Sequence, residues 1–228
     1  MARNIIFFDI DGTLLNTGGA GQMAMERALV KDFQIDFPFE GVLTAGRTDR
    51  GITNEIFERY DVENTPKNRE RFRDAYLSHL PDTLAAAPGL LLPGVIELLD
   101  QLSKADNALL SLLTGNYAKG AWIKLRHYEL HDYFVSGGFG DHEADRDDVA
   151  RSALSAINQH VGQPAPERYM VIGDTPADIR CARAIGATVV AVATGKYSPE
   201  ELEPHEPDHL FDDFSNTRSS VEKILELL

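Results

Sequence analysis

Cysteine is almost absent from this chain of 228 residues: Cys181 stands alone, so no internal disulfide can form, and the usage suits a reducing cytoplasm. Cys181 itself reads as a small helix residue rather than a nucleophile. Positive charge is also short, with 22 Lys plus Arg against 36 Asp plus Glu and a formal net charge of −14. That field repels nucleic-acid backbones and anionic membrane surfaces, so neither is an expected partner. It repels a phosphorylated ligand equally, so a phosphate site here must recruit a metal ion or local cations.

Long apolar runs are missing as well. The opening MARNIIFFDI holds too short an apolar stretch for a signal peptide, and nothing later reaches transmembrane length, so a cytoplasmic protein is expected. The histidines lack metal spacing: His127 and His131 lie four apart on a helical pattern without a third ligand. The run Gly18-Gly19-Ala20-Gly21 lacks a Walker lysine and reads as a hinge.

What is present is the balance of a globular protein, 43% hydrophobic and 25% charged, enough to bury a core. The length fits one domain, or a core domain carrying a smaller insert. Short continuous apolar runs at Asn4 to Phe8, Ala108 to Leu113, Tyr169 to Ile172 and Thr188 to Val192 predict buried parallel strands, each ending at a polar loop. Helical periodicity separates them, in GVIELLDQLSKA from Gly94, AKGAWIKLRHYEL from Ala118, DDVARSALSAINQHV from Asp147 and PADIRCARAI from Pro176. The alternation predicts an α/β fold, a Rossmann-like doubly wound parallel sheet. Between the first two strands, about Leu15 to Leu92, three helical stretches replace the single helix that a crossover needs. The surplus predicts an inserted α-helical subdomain over residues 15–92, with 1–14 and 93–228 as the core.

Asp9 and Asp11 stand two apart at the end of the first strand, where alternation would bring both to one site. Two carboxylates about 4 Å apart repel by roughly 4 kcal/mol at an effective dielectric near 20, so the pair calls for a cation, a proton or separation. Taken alone, such a pair can equally begin a solvated loop. Asp174 in GDTPADI lies at another strand end, with Asp178 four residues on. In a parallel sheet these ends lie together, so Asp9, Asp11 and Asp174 could offer hard oxygen ligands to Mg²⁺. A helix N-cap is the competing role at Asp174, which either it or Thr175 could fill beside Pro176. Thr114, with the backbone N–H groups of Gly115 and Asn116, could hold phosphate oxygens at a helix N-terminus, or simply cap that helix.

FFDIDGTLLNT, LLTGN and VIGDTPADI resemble, in order and in strand-end placement, three of the four signature motifs of the haloacid dehalogenase superfamily, and the resemblance covers essentially the whole chain. GDTPADI, ATGKYSPEEL and the insert position are most similar to the phosphoglycolate phosphatase group with a helical cap. The resemblance implies a Mg²⁺-dependent phosphatase acting on a small phosphorylated metabolite, as a monomer or homodimer. It makes Asp9 the nucleophile and Asp11 the general acid and base. Metal ligands would be the Asp9 carboxylate, the Asp11 backbone carbonyl and Asp174, supported by Asp178. Thr13, Thr114, Gly115 and Asn116 would serve phosphate, and TAGRTDRGI resembles a substrate-specificity loop in which Arg47 or Thr48 meets the rest of the substrate.

One departure concerns the third motif, whose usual lysine has no counterpart from Leu125 to Gly195. Arg146, beside Asp145 and Asp147, is the favoured replacement over Arg151 and Arg126. It keeps the charge but presents a planar fork. Two other functions fit the same motifs. A phosphosugar mutase shares Asp9 and Asp11 but returns the phosphoryl group before water intervenes. A non-catalytic phospholigand-binding protein could keep the fold alone. Dehalogenation is disfavoured, because that branch lacks the second aspartate that Asp11 supplies here.

Overall fold

The computed structural model describes residues 4–36, 39–163 and 165–228. Strand β1 (Asn4–Phe8) is buried at every position because it runs through the middle of a parallel sheet covered on both faces. The chain then forms β2 (Leu15–Asn16) and three helices, α1 (Ala20–Ala28), α2 (Asp49–Arg59) and α3 (Pro66–Ala86). β3 (Leu90–Leu91) returns antiparallel to β2, with Leu15 opposite Leu91 and Asn16 opposite Leu90. Strands and helices alternate from there: α4 (Val95–Leu102), β4 (Ala108–Leu113), α5 (Ala118–His127), β5 (Gly137–Gly138), α6 (Arg146–Val161), β6 (Tyr169–Gly173) and α7 (Pro176–Ala184). β7 (Thr188–Val192), α8 (Pro199–Leu202), β8 (His209–Phe211) and α9 (Thr217–Leu227) complete the order.

The main sheet has six strands in the order β5-β4-β1-β6-β7-β8, each neighbouring pair parallel. Strand order reverses at β1, which pairs with β4 on one side and β6 on the other. The C-terminal ends of those three strands therefore face one crevice, where open α/β sheets bind ligands. This is the doubly wound α/β arrangement that the alternating apolar runs predict.

Alternation along β1 sends Ile6 and Phe8 into one layer, with Leu98 of α4 and Ile224 of α9. Ile5 and Phe7 enter the opposite layer, with Val149 of α6 and Ile179 of α7. A third apolar cluster unites α1, α2 and α3 through Ala24, Ile56, Phe57, Phe72 and Tyr76, and it takes in Tyr117 from the edge of the sheet. Burial pushes the Cys181 thiol on α7 up to about 12, so it is inert at neutral pH. Among the described residues no helix is long and apolar enough to cross a membrane.

Candidate active site

A cavity of about 470 Å³ opens between the C-terminal edge of the sheet and the helices that follow β2, with Asp9, Asp11, Thr114, Arg146 and Asp174 in its wall. Asp9 follows the buried strand β1, and its amide donates to Ile172 O at 3.0 Å, which ties it to the end of β6. Only 5% of Asp9 is exposed, so it cannot rely on water for its charge. Arg146 Nη2 approaches Asp9 Oδ1 to 3.0 Å. The same nitrogen also pairs with Asp178.

Asp9, Asp174 and Asp178 each bring one carboxylate oxygen within 4.8 Å of the others. Burial pushes Asp9 up to about 6, against the pull of Arg146, and the charges of Asp178 and Asp11 add to the rise. Asp174 is held well above the usual carboxylate range, first by burial and then by Asp178 and Asp9. One guanidinium leaves three buried carboxylates short of positive charge. A set of buried carboxylate oxygens that resists ionisation for this reason fits a hard divalent cation such as Mg²⁺.

Local structure explains how the acids are aimed. Thr175, rather than Asp174, caps α7, in a capping box closed by Asp178, so the Asp174 side chain is released to the cavity. Thr13 Oγ1 donates to Asp174 Oδ1 at 3.1 Å and is fully buried. Gly12 has φ of 87° and packs so closely on Asp174 that a Cβ there would overlap the carboxylate. Thr13 thus orients Asp174 from behind the lining of the cavity. Asp178 is held from both sides, at Oδ1 by Arg146 and at Oδ2 by Thr175 N at 3.0 Å and Thr175 Oγ1 at 2.7 Å. It stands behind the other two acids.

The Asp11 carboxylate lies outside that group. Lys124 Nζ meets both of its oxygens, at 2.8 and 2.6 Å, and Asn116 Nδ2 donates to Oδ2 at 2.8 Å. Lys124 also donates to Asn116 Oδ1 at 2.6 Å. Asn116 is further committed to Thr114, whose hydroxyl accepts from Nδ2 at 2.8 Å and from the Asn116 amide at 3.3 Å. The Asn116 amide therefore faces Thr114 rather than a phosphate, while the Thr114 proton stays available to an acceptor. Gly115 O receives the amide of Asp49 at 2.7 Å, and a Cβ on Gly115 would overlap the Arg47 carbonyl, so this loop is where the α2 segment rests.

Arg47 lines the cavity, yet its guanidinium pairs with Glu55 and donates to Leu43 O at 3.2 Å and Gly51 O at 3.1 Å. Those bonds hold it to its own segment at the cavity wall. Thr48 caps α2 through Gly51 N at 2.9 Å and donates to Ala144 O at 3.1 Å. Arg151 is exposed and pairs with Asp148 at 2.5 Å, whereas Arg146 opens α6 behind the Asp145 cap and is 4% exposed.

Three lining residues escape the sequence reading. Lys124 sits on α5 one residue before the lysine-free stretch begins, and its helical context gave no sign that it reaches Asp11. Asp49 on α2 is buried, accepts the Tyr117 amide at 2.7 Å, and is pushed up to about 7 by burial, with Lys124 opposing. The Tyr76 hydroxyl on α3 is buried without a hydrogen-bond partner among the described residues. Asp49 lies inside TAGRTDRGI, where Arg47 and Thr48 drew the reading instead, and no local pattern marks Tyr76, which packing of the helices brings to the cavity.

A model of the haloacid dehalogenase-like hydrolase family matches residues 6–192. A phosphoglycolate phosphatase of Caulobacter vibrioides is 30% identical over 203 residues, covering 87% of this chain and 82% of the relative. The probable phosphatase IndB of Dickeya dadantii is 26% identical, covering 99% of this chain and 96% of its own. Among solved structures, CbbY from Rhodobacter sphaeroides in complex with phosphate shares the fold with a TM-score of 0.69 at 22% identity, covering 94% of this chain and 96% of that one.

Proposed function

The chain belongs to the haloacid dehalogenase-like hydrolase family, and from that premise we propose that it is a Mg²⁺-dependent phosphatase that cleaves a small phosphate monoester through an aspartyl phosphate on Asp9. The observation that carries this reading is the contrast between two carboxylates on one cavity wall. Asp9 lies among buried acids beside Arg146, while Asp11 is held apart by Lys124 and Asn116. Two carboxyls in unlike surroundings can take unlike roles.

In the first step an Asp9 carboxylate oxygen attacks phosphorus and the bond from phosphorus to the leaving oxygen breaks. Asp11, in its protonated form, gives that oxygen its proton. In the second step Asp11 takes a proton from water, the water oxygen attacks phosphorus, and the bond to Asp9 breaks to release inorganic phosphate. Mg²⁺, held by Asp9, the Asp11 backbone carbonyl and Asp174 with Asp178 behind them, would supply the positive charge that lets carboxylate and phosphate dianion meet. Arg146 neutralises Asp9 from the core side, and the Thr114 hydroxyl donates to a phosphate oxygen. Lys124 adds a second cation beside Asp11. Residues 15–92 act in this reading as a cap over a core of 1–14 and 93–228, and the relatives named as phosphoglycolate phosphatases support a small phosphorylated metabolite as substrate.

The test is release of phosphate from p-nitrophenyl phosphate with Mg²⁺, compared between wild type and Asp9→Asn. The amide is nearly isosteric but cannot form an acyl phosphate, so turnover should vanish while the fold remains. Wild-type rates in a clean Asp9→Asn preparation would sink the reading. Free phosphate released without a bisphosphate activator separates hydrolysis from mutase chemistry.

A further inference from the structure

We propose, on the basis of the phosphatase reading above, that the leaving group carries a neutral hydroxyl bound between Tyr76 and Asp49, which makes the preferred substrates phosphorylated polyols or sugars rather than phosphorylated carboxylic acids. The cavity extends from Asp9 and Asp11 to a wall supplied by Met25, Phe39 and Ile52, with Tyr76 and Asp49 as polar groups among them. Tyr76 is fully buried, and its ring is fixed by Phe72 at 6.5 Å and Tyr117 at 6.1 Å between centroids. Its hydroxyl nevertheless has no hydrogen-bond partner among the described residues, which is unusual for a buried phenol and points to a group that arrives with the ligand. Burial and then the charges of Asp49 and Asp11 hold the phenol well above its ordinary value, so its proton remains available.

Asp49 supplies the complementary acceptor. Its backbone is locked by Gly115 O at 2.7 Å and by Thr53 Oγ1 at 2.6 Å, and its Oδ2 by the Tyr117 amide. No ion pair satisfies its carboxylate among the described residues. A hydroxyl accepts from one neighbour while donating to another, which matches a phenol and a carboxyl side by side. A carboxylate has no proton to give, and its charge would add to those of Asp11 and Asp141, which already press on Asp49.

The cations that might favour an anionic leaving group are committed elsewhere. Arg47 is held by Glu55, Lys124 by Asp11 and Asn116, and Arg146 by Asp9 and Asp178. Lys196, the other lining cation, is exposed on the loop after β7. The relatives named for phosphoglycolate therefore share the chemistry at phosphorus, while the wall facing the leaving group favours a different class.

The experiment measures kcat and KM separately for glycerol 3-phosphate, ribose 5-phosphate and 2-phosphoglycolate, with p-nitrophenyl phosphate beside them, on wild type, Asp49→Asn and Tyr76→Phe. Wild type should favour the better hydroxylated ester over 2-phosphoglycolate by at least tenfold in kcat/KM. Both variants should shrink that ratio, Asp49→Asn by improving KM for 2-phosphoglycolate and Tyr76→Phe by raising KM for the hydroxylated ester. Tyr76→Phe deletes one oxygen that has no partner, so it folds even where Asp49→Asn does not. Preference for 2-phosphoglycolate in a protein that turns over p-nitrophenyl phosphate overturns the inference and leaves the phosphatase reading standing. An unchanged ratio in Tyr76→Phe also overturns it, and no turnover of any ester removes the phosphatase reading together with the inference.

Discussion

Arg146 Nη2 lies 3.0 Å from Asp9 Oδ1 and holds Asp178 with the same nitrogen, so one buried guanidinium balances the proposed nucleophile and the acid behind it. Removing one partner of such a buried arrangement strands the others in low dielectric. Arg146→Ala should lower kcat/KM by about a hundredfold to a thousandfold, the range for loss of a charge-stabilising group in a closed site. Arg146→Lys should recover part of this, and the exposed Arg151→Ala should stay near wild type. Steady-state kinetics on the three variants, with a melting temperature for each, would expose a merely structural Arg146 as one that lowers Tm without lowering turnover.

Lys124 makes a second test, because it bonds Asp11 and Asn116 at once. Lys124→Met keeps the stem and removes the cation. Turnover should fall by about two orders of magnitude, since the variant leaves Asp11 and the Thr114 loop without their common tether and the phosphate without a cation on that wall. Activity equal to wild type would assign Lys124 to packing.

The third test concerns pH. Asp49 titrates near 3.8 when exposed and is pushed up to about 7 in the fold, chiefly by burial, while the Tyr117 amide and Lys124 pull it down and Asp11 and Asp141 push it up. A carboxyl with a raised folded value binds its proton more tightly in the fold. Its burden on stability is therefore absent below about 4, grows as pH rises, and is complete above about 7, reaching roughly 4 kcal/mol as an upper bound. Melting curves in chelator from pH 4.5 to 8 should show wild type losing more stability than Asp49→Asn as pH rises. Parallel curves would mean that Asp49 is not protonated by burial.

Mg²⁺ should relieve the crowding of Asp9, Asp174 and Asp178. At a hundred times its dissociation constant a ligand of the folded state adds about 2.7 kcal/mol, which for a chain of this size raises Tm by several degrees. Thermal shift should show a saturable rise with Mg²⁺ that is lost in Asp174→Asn, and chelation should abolish phosphatase activity. A chelated enzyme that retains full activity would rule out the metal.

The sheet was legible because β1, β4, β6 and β7 are continuous apolar runs that end at polar loops, a pattern needing no distant information. β5 and β8 were not, since Gly137–Gly138 and His209–Phe211 are too short to show a period and become strands only by pairing with β4 and β7. The acids at strand ends and Arg146 could be read from motif and charge. Lys124 and Tyr76 could not, because each looks like an ordinary helix residue until α3 and α5 pack, and Asp49 stands inside TAGRTDRGI with no sign of its role until its amide lands on Gly115. Arg47 shows what a loop position hides: the sequence places it at the cavity, but its pairing with the nearby Glu55 comes only with the fold.

β2 and β3 pair over only Leu15–Leu91 and Asn16–Leu90, which brings the start and finish of the intervening helices side by side. Topologically that whole stretch is the long loop of a hairpin that stands apart from the main sheet. Closing a flexible loop costs only about 0.6 kcal/mol more for each doubling of its length, so the helices between the paired strands can be lengthened or exchanged while the ends stay in register. Asp9 lies before this gate, and Thr114, Arg146 and Asp174 come after it. Under the proposed cap reading, changes within that one continuous segment would leave the strands that position the carboxylates where they are.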